Sequence, residues 1–142
     1  MRETKRRAPE ERPRRGKDAP LEIHFYCESV PFTEETIRLE TSLGGSESAL
    51  IHLARGMAGR GHTIVVYTRF ARDEDGSPVM ESYRDDFGIW WFDNSKAMMN
   101  SIIRARQPEV FVSLRHPGIM QWASLTDCKL RLLWNEDRSE EH

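Results

Sequence analysis

The chain has 142 residues, of which 38% are hydrophobic and 31% charged, with a formal net charge of −2 at pH 7. That length suits one domain rather than two, with a usable if modest core, and the composition is that of a soluble globular protein. No apolar run approaches the roughly 20 residues that span a bilayer, and the charged N-terminus lacks the apolar stretch of a secretory signal.

Residues 1–20 hold eight Lys/Arg against four acids and contain three prolines, so the remainder carries 13 basic and 19 acidic residues. With almost nothing to bury, this segment is expected to be a disordered basic tail. A basic tail also suits a peripheral contact with the inner face of a membrane; no nucleic acid partner is expected. Cys27 and Cys128 lie far apart and form neither a CxxC pair nor a metal-ligand spacing, which makes a reducing, cytoplasmic setting the default and implies no metal site.

The first strand is expected at 21–27, a short, mostly apolar and β-prone run. A long polar connection from Glu28 to Leu43 leads to Gly44-Gly45, and a helix is expected from about Ser46 to Gly59. Ala49, Leu50, Leu53, Ala54 and Met57 supply its apolar face, and Gly61 suits the left-handed position just past its end. Residues 62–68, rich in β-branched side chains, form the second strand. Arg72 to Pro78 is a turn-forming stretch, and 88–92 is the third strand. Asp93 or Asn94 caps a helix from about Ser95 to Arg106, with Ala97, Met98, Ile102 and Ile103 apolar. After Pro108 come a fourth strand at 110–114, a loop with a short helical segment to about Thr126, and a fifth strand at 130–134.

Strands that alternate with helices imply an α/β fold, with a Rossmann-like parallel sheet and helices on both faces. Ligands of such sheets bind beyond the carboxyl ends of the strands, which directs attention to 28–47, 69–72, 93–95, 115–118 and 135–138. Gly44-Gly45 before a helix lets backbone approach a ligand closely, and the free amides of the first helical turn favour an anion such as a diphosphate. Ser46 either caps the helix or offers its hydroxyl to a ligand. Glu47 is favoured by the helix dipole and, facing aside, is placed to accept hydrogen bonds from a sugar or acceptor hydroxyl. The alternative is a tight turn with an electrostatically tuned helix start. His116, beyond the fourth strand, is a candidate to contact donor or acceptor, and Arg115 to pair with phosphate. His24 and His52 read as structural and His62 as closing the helix–strand corner. Trp90, Trp91, Trp122 and Trp134 read as core or sheet-edge residues.

The string Leu43-Gly44-Gly45-Ser46-Glu47-Ser48-Ala49-Leu50, then Leu53-Ala54 and Arg60-Gly61-His62 before a strand, resembles the N-terminal domain of retaining glycosyltransferases of the two-Rossmann-domain (GT-B) fold, specifically the family 4-like group. Gln107-Pro108-Glu109-Val110 looks like that family's Pro-Asp-Val strand opening, with Glu in place of Asp. The resemblance covers 21–138. It implies an N-terminal domain that handles the acceptor and contributes its glycine turn, Gly44-Gly45 with Ser46, to the donor diphosphate; Glu47 and Arg115 stand beside that turn as further substrate-binding candidates. A separate C-terminal domain then binds most of the nucleoside diphosphate sugar. The acceptor is a glycan or lipid-linked hydroxyl, and the transfer usually needs no bound metal or other cofactor. Relatives often carry Trp-x-His-Asp after the fifth strand. Here Trp134-Asn135-Glu136-Asp137 puts Glu136 in the histidine's place, and with His116 and Asp137 it completes the candidate catalytic set. The family's paired glutamates have no counterpart in the chain, so a truncated domain, inactive alone, is expected. Two alternatives stand beside this one. One is a non-catalytic module binding a nucleotide sugar or a protein. The other is an NAD(P)-dependent oxidoreductase, which needs Gly-x-Gly-x-x-Gly close behind the first strand, where about 16 residues intervene here.

Overall fold

The computed structural model describes residues 19–28, 45–80 and 82–134, with the backbone alone at Gly45 and Ser46. The expected tail up to residue 18, Gly44, and the candidate residues Glu136 and Asp137 lie outside the described residues.

The elements in chain order are β1 (Glu22–Tyr26), α1 (Gly45–Gly59), β2 (Thr63–Thr68), β3 (Ser82–Arg84), β4 (Trp90–Asp93), α2 (Lys96–Arg106), β5 (Val110–Leu114), two 3-10 turns (Pro117–Gln121 and Ala123–Leu125) and β6 (Leu130–Trp134). They build a six-stranded sheet in the order β3-β4-β2-β1-β5-β6. Every neighbouring pair is parallel except β3 with β4. The chain therefore builds outward from β1 through β2 to β4, then returns past β1 to add β5 and β6 on the other side. The fold is α/β and Rossmann-like, as the alternation implies.

Strand alternation divides the core between the two faces. Ile23, Phe25 and Cys27 of the first strand segment, with Ile64, Val66, Trp91, Val112 and Leu114, pack under Leu50, Ile51 and Ala54 of α1. Tyr26, Val65, Tyr67, Phe92 and Phe111 pack on the other face against Met99 and Ile103 of α2 and against Ile119 and Leu125 of the 3-10 turns. Each fully buried aliphatic or phenyl side chain contributes about 1.5–3 kcal/mol. Between β5 and β6 the two 3-10 turns cover the sheet in place of an α-helix.

Several expectations need adjustment. The buried stripe of α1 runs through Glu47, Leu50, Ile51 and Ala54, whereas Ala49 is exposed and Leu53 is 44% exposed. On α2, Met99 and Ile103 are buried and Ala97 is exposed, so that stripe too is rotated by a position. Neither Asp93 nor Asn94 is the cap of α2: Ser95 stands there, in extended conformation, without a side-chain capping bond. The short antiparallel β3 has no counterpart in the sequence reading. Its pairing depends on Asp85, a buried carboxylate that accepts the amides of Phe87 and Ile89 and the indole N–H of Trp91, all at 2.9 Å. That three-fold anchor shapes the turn into β4, where Gly88 takes φ +87. Gly61 has φ 99, the left-handed position expected past α1. His62 closes its corner by accepting the Leu21 amide on Nδ1 at 3.0 Å.

His24 is structural, and its partners show why it tolerates full burial. Tyr67 donates its hydroxyl to His24 Nδ1 (2.9 Å), while His24 Nε2 donates to Glu22 (2.8 Å), which also accepts Arg106 Nε at 2.5 Å. Burial lowers the imidazole's pKa, only partly opposed by Glu22. Burial also acts to raise the pKa of Glu22, but the hydrogen bonds from His24 and Arg106 outweigh it and the net shift is downward. Among the described residues no helix is long and apolar enough to cross a membrane.

Candidate functional site

The strand order reverses between β1 and β5, so the segments leaving these two strands diverge and open a crevice at their carboxyl ends. Cys27 and Glu28 leave β1, Arg115 and His116 leave β5, and α1 begins close by. The backbone holds these exits in place. The Cys27 amide donates to the Tyr67 carbonyl at 2.9 Å, and Asn94 Nδ2 donates to the Cys27 carbonyl at 3.1 Å. Arg115 adopts the left-handed conformation (φ 65) and donates its amide to the Trp134 carbonyl at 2.9 Å. The Ser113 hydroxyl donates to the His116 carbonyl at 2.7 Å and closes the turn.

Two side-chain pairs occupy this crevice. Arg115 Nη2 meets Glu47 Oε2 at 3.2 Å, with the carboxylate buried and the guanidinium partly exposed. Glu47 is thus turned toward the β5 exit, held by the start of its own helix and by an arginine 68 residues away. Because the guanidinium is partly in solvent, the pair contributes at most about 1 kcal/mol. The second pair joins His116 Nε2 to Glu28 Oε1. The imidazole also stands edge-on to Tyr26, with centroids 5.4 Å apart and planes at 81°. Burial, then the charge of Glu28, pushes the Tyr26 phenol up to about 12, so it stays protonated.

One strand over, Asp93 organises the neighbouring exits. Its carboxylate is fully buried and accepts the Phe70 amide (3.0 Å), Arg72 Nη1 (2.7 Å) and the Ser95 amide (3.0 Å). Burial acts to raise its pKa, yet the Phe70 amide, Arg72 and the Ser95 amide outweigh it and the pKa is lowered. This one side chain ties 70–72 to 93–95.

Of the described candidates, the structure brings Glu47, Arg115 and His116 together beside the first turn of α1, which opens at Gly45. Sequence reasoning missed Glu28 and Tyr26 as partners of His116. Glu28 lay within a flagged segment, but only the β1–β5 adjacency, invisible in chain order, identifies its partner. Among the described residues no group of three His, Cys, Asp or Glu is placed to hold a metal ion.

The fold and this crevice define a Rossmann-like α/β protein with its polar residues at the strand-order reversal. Comparison with protein-family models, with curated proteins and with solved structures returns no match.

Proposed function

We infer that the chain is the N-terminal domain of a glycosyltransferase, moving a sugar from a nucleoside diphosphate to an acceptor hydroxyl when joined to a donor-binding domain. The observation that carries this reading is the convergence of the α1 start, Arg115 and His116 at the reversal of strand order. During transfer, negative charge collects on the departing diphosphate, and fixed donors aimed at it lower the barrier. The amides of the first turn of α1 and the Arg115 guanidinium are such donors. Glu47 holds Arg115 in place before the ligand arrives. Glu28 engages His116 through Nε2, which leaves Nδ1 in the neutral ring as an acceptor for the proton of the attacking hydroxyl. Both roles need only this chain's residues; recognition of the base and most of the sugar belongs to the second domain.

The reading is tested by NMR titration of the chain with UDP, GDP and NADH. A nucleoside diphosphate is expected to shift the amides of Glu47, Arg115 and His116, and Arg115→Ala to weaken that response about tenfold. The isolated chain is expected to bind without turnover. Preferential binding of NADH, or diphosphate shifts confined to the opposite edge of the sheet, would refute the proposal.

A further inference from the structure

The amino-terminal edge of the sheet, opposite the crevice, carries a cleft of about 390 Å³ between the ends of α1 and α2, with the β3–β4 turn on its third side. His62, Arg84, Arg106 and Trp90 supply its side chains of interest, and Phe87 stands half exposed at its rim. Among the described residues no carboxylate lines it.

The hydrogen-bonding state of each lining group decides what the cleft can hold. His62 Nδ1 is occupied as an acceptor by the Leu21 amide, so the neutral ring carries its proton on Nε2 and that nitrogen is a donor. Arg84 has a single long contact from Nε to the Gly88 carbonyl (3.4 Å), and its guanidinium lies 5.5 Å from the Trp90 ring centroid. Arg106 engages Glu22 through Nε, and its two Nη groups have no hydrogen-bond partner among the described residues. Two of the terminal carbonyls of α1 are already taken. Met57 accepts the amides of Arg60 and His62, and Ala58 accepts that of Gly61. At the end of α2, Ile103 likewise accepts Gln107. The nearby carboxylates are also committed: Glu22 to His24 and Arg106, and Asp85 to the turn it anchors. Asp86 is exposed on that turn and does not line the cleft.

The side chains of this cleft therefore present donors and positive charge, next to an indole ring. We propose that it binds a phosphate-bearing ligand, with the phosphate on Arg84, Arg106 and His62 and the ligand body against Trp90. Forked guanidinium donors match phosphate oxygens in pairs, which distinguishes this ligand from a simple halide. The same chemistry is offered by a phosphate ester in solution and by a phosphomonoester lipid headgroup. The site is independent of the crevice, since it lies at the other ends of the strands.

The test uses the 142-residue chain in two arms. In the first, inorganic phosphate is titrated at constant ionic strength, following the Trp90 indole and the Gly61 and Gly88 amides by NMR. In the second, phosphatidylcholine vesicles with and without phosphatidic acid are sedimented with the protein. Arg84→Gln is expected to weaken phosphate binding about tenfold or more, while Arg60→Gln, an exposed arginine outside the cleft, leaves it within twofold. Arg84 is exposed with few contacts, so the variant keeps the fold, which its melting curve checks. Arg84→Lys, retaining charge without the fork, is expected to fall between and serves if Arg84→Gln melts early. A response to soluble phosphate that depends on Arg84 supports the site with a free ester. Binding only to phosphatidic acid vesicles, again dependent on Arg84, supports it with a lipid headgroup. Absence of both, or equal losses in the Arg84 and Arg60 variants, overturns it.

Discussion

Replacing Asp93 with Asn keeps the shape of the side chain and removes its charge. The native carboxylate is fully buried and accepts three donors: Arg72 at 2.7 Å and the Phe70 and Ser95 amides at 3.0 Å. Phe70 and Arg72 share Oδ1, whereas Ser95 uses Oδ2. An asparagine has one acceptor oxygen, so its NH₂ must face either the Ser95 amide or the Phe70–Arg72 pair, and at least one donor is orphaned. A hydrogen bond to a charged group is worth about 1.5–3 kcal/mol, and breaking a buried pair costs about 3–5 kcal/mol. Arg72 keeps partial access to water, which places Asp93→Asn near the lower end, about 3 kcal/mol. Against a total stability of about 5–15 kcal/mol this is a large fraction, and it lowers the melting temperature by roughly 10 °C. Urea denaturation followed by circular dichroism measures it. The pH dependence supplies a second readout. The folded-state pKa of Asp93 lies below its ordinary value of 3.8, so the unfolded chain binds the proton more readily. Its stabilisation is therefore intact above the ordinary value and is lost as pH falls through 3.8 and on through the lowered folded value. The gap between parent and Asp93→Asn is expected to narrow in that window. A variant within about 0.5 kcal/mol of the parent at pH 7, or a gap that does not change on acidification, refutes the anchoring role.

Four further outcomes are expected. Tyr67→Phe removes the hydroxyl bonded to His24 Nδ1 and is expected to cost about 1–2 kcal/mol by chemical denaturation. Since the pKa of His24 is lowered from 6.5 by burial, protonation favours the unfolded chain. Parental stability should therefore decline as pH falls below 6.5, and His24→Gln should flatten that slope; an unchanged slope counts against a buried neutral imidazole. Gly88→Ala meets its nearest neighbour, Arg84 Nη2, at an ordinary 3.6 Å, so its cost of about 1 kcal/mol comes from the positive φ alone and shows as a lower melting temperature. Leu130, Leu132 and Leu133 of the edge strand β6 are 40–48% exposed, which makes this edge prone to pairing. Leu132→Lys is expected to reduce concentration-dependent association in sedimentation velocity, and a parent chain that stays monomeric at high concentration contradicts the argument.

The parallel strands were legible because each is a short apolar or β-branched run set between polar turns. Strands β5 and β6 have the boundaries expected of them, β1 is shorter by a residue at each end, and β2 begins one residue later. The third expected strand is displaced, beginning at Trp90, because Gly88 and Ile89 belong to the turn that Asp85 anchors. Strand β3 was not legible: three residues carry too little periodicity, and their pairing is imposed by Tyr83 stacking on Trp91 at 6.0 Å and by the Asp85 turn. The apolar faces of both helices were misplaced by about a position. Composition alone does not weigh Glu47, which is buried through its partner Arg115, against Leu53, which is left in solvent. At the candidate site, the carboxyl-end rule led to Glu47, Arg115 and His116, but their pairings were out of reach.

Local pattern by itself determined the strands that form the parallel sheet, the helix ends at Gly59 and Arg106, and hence the class of fold, because these depend on neighbours within a few residues. Strand order, the reversal beside β1, and the pairings of Arg115 with Glu47 and of His116 with Glu28 were decided only in three dimensions. The physical reason is range. A side chain's period is set by its own backbone, whereas a buried carboxylate or an ion pair is satisfied by whatever the folded sheet brings beside it, here from 68 residues away for Glu47.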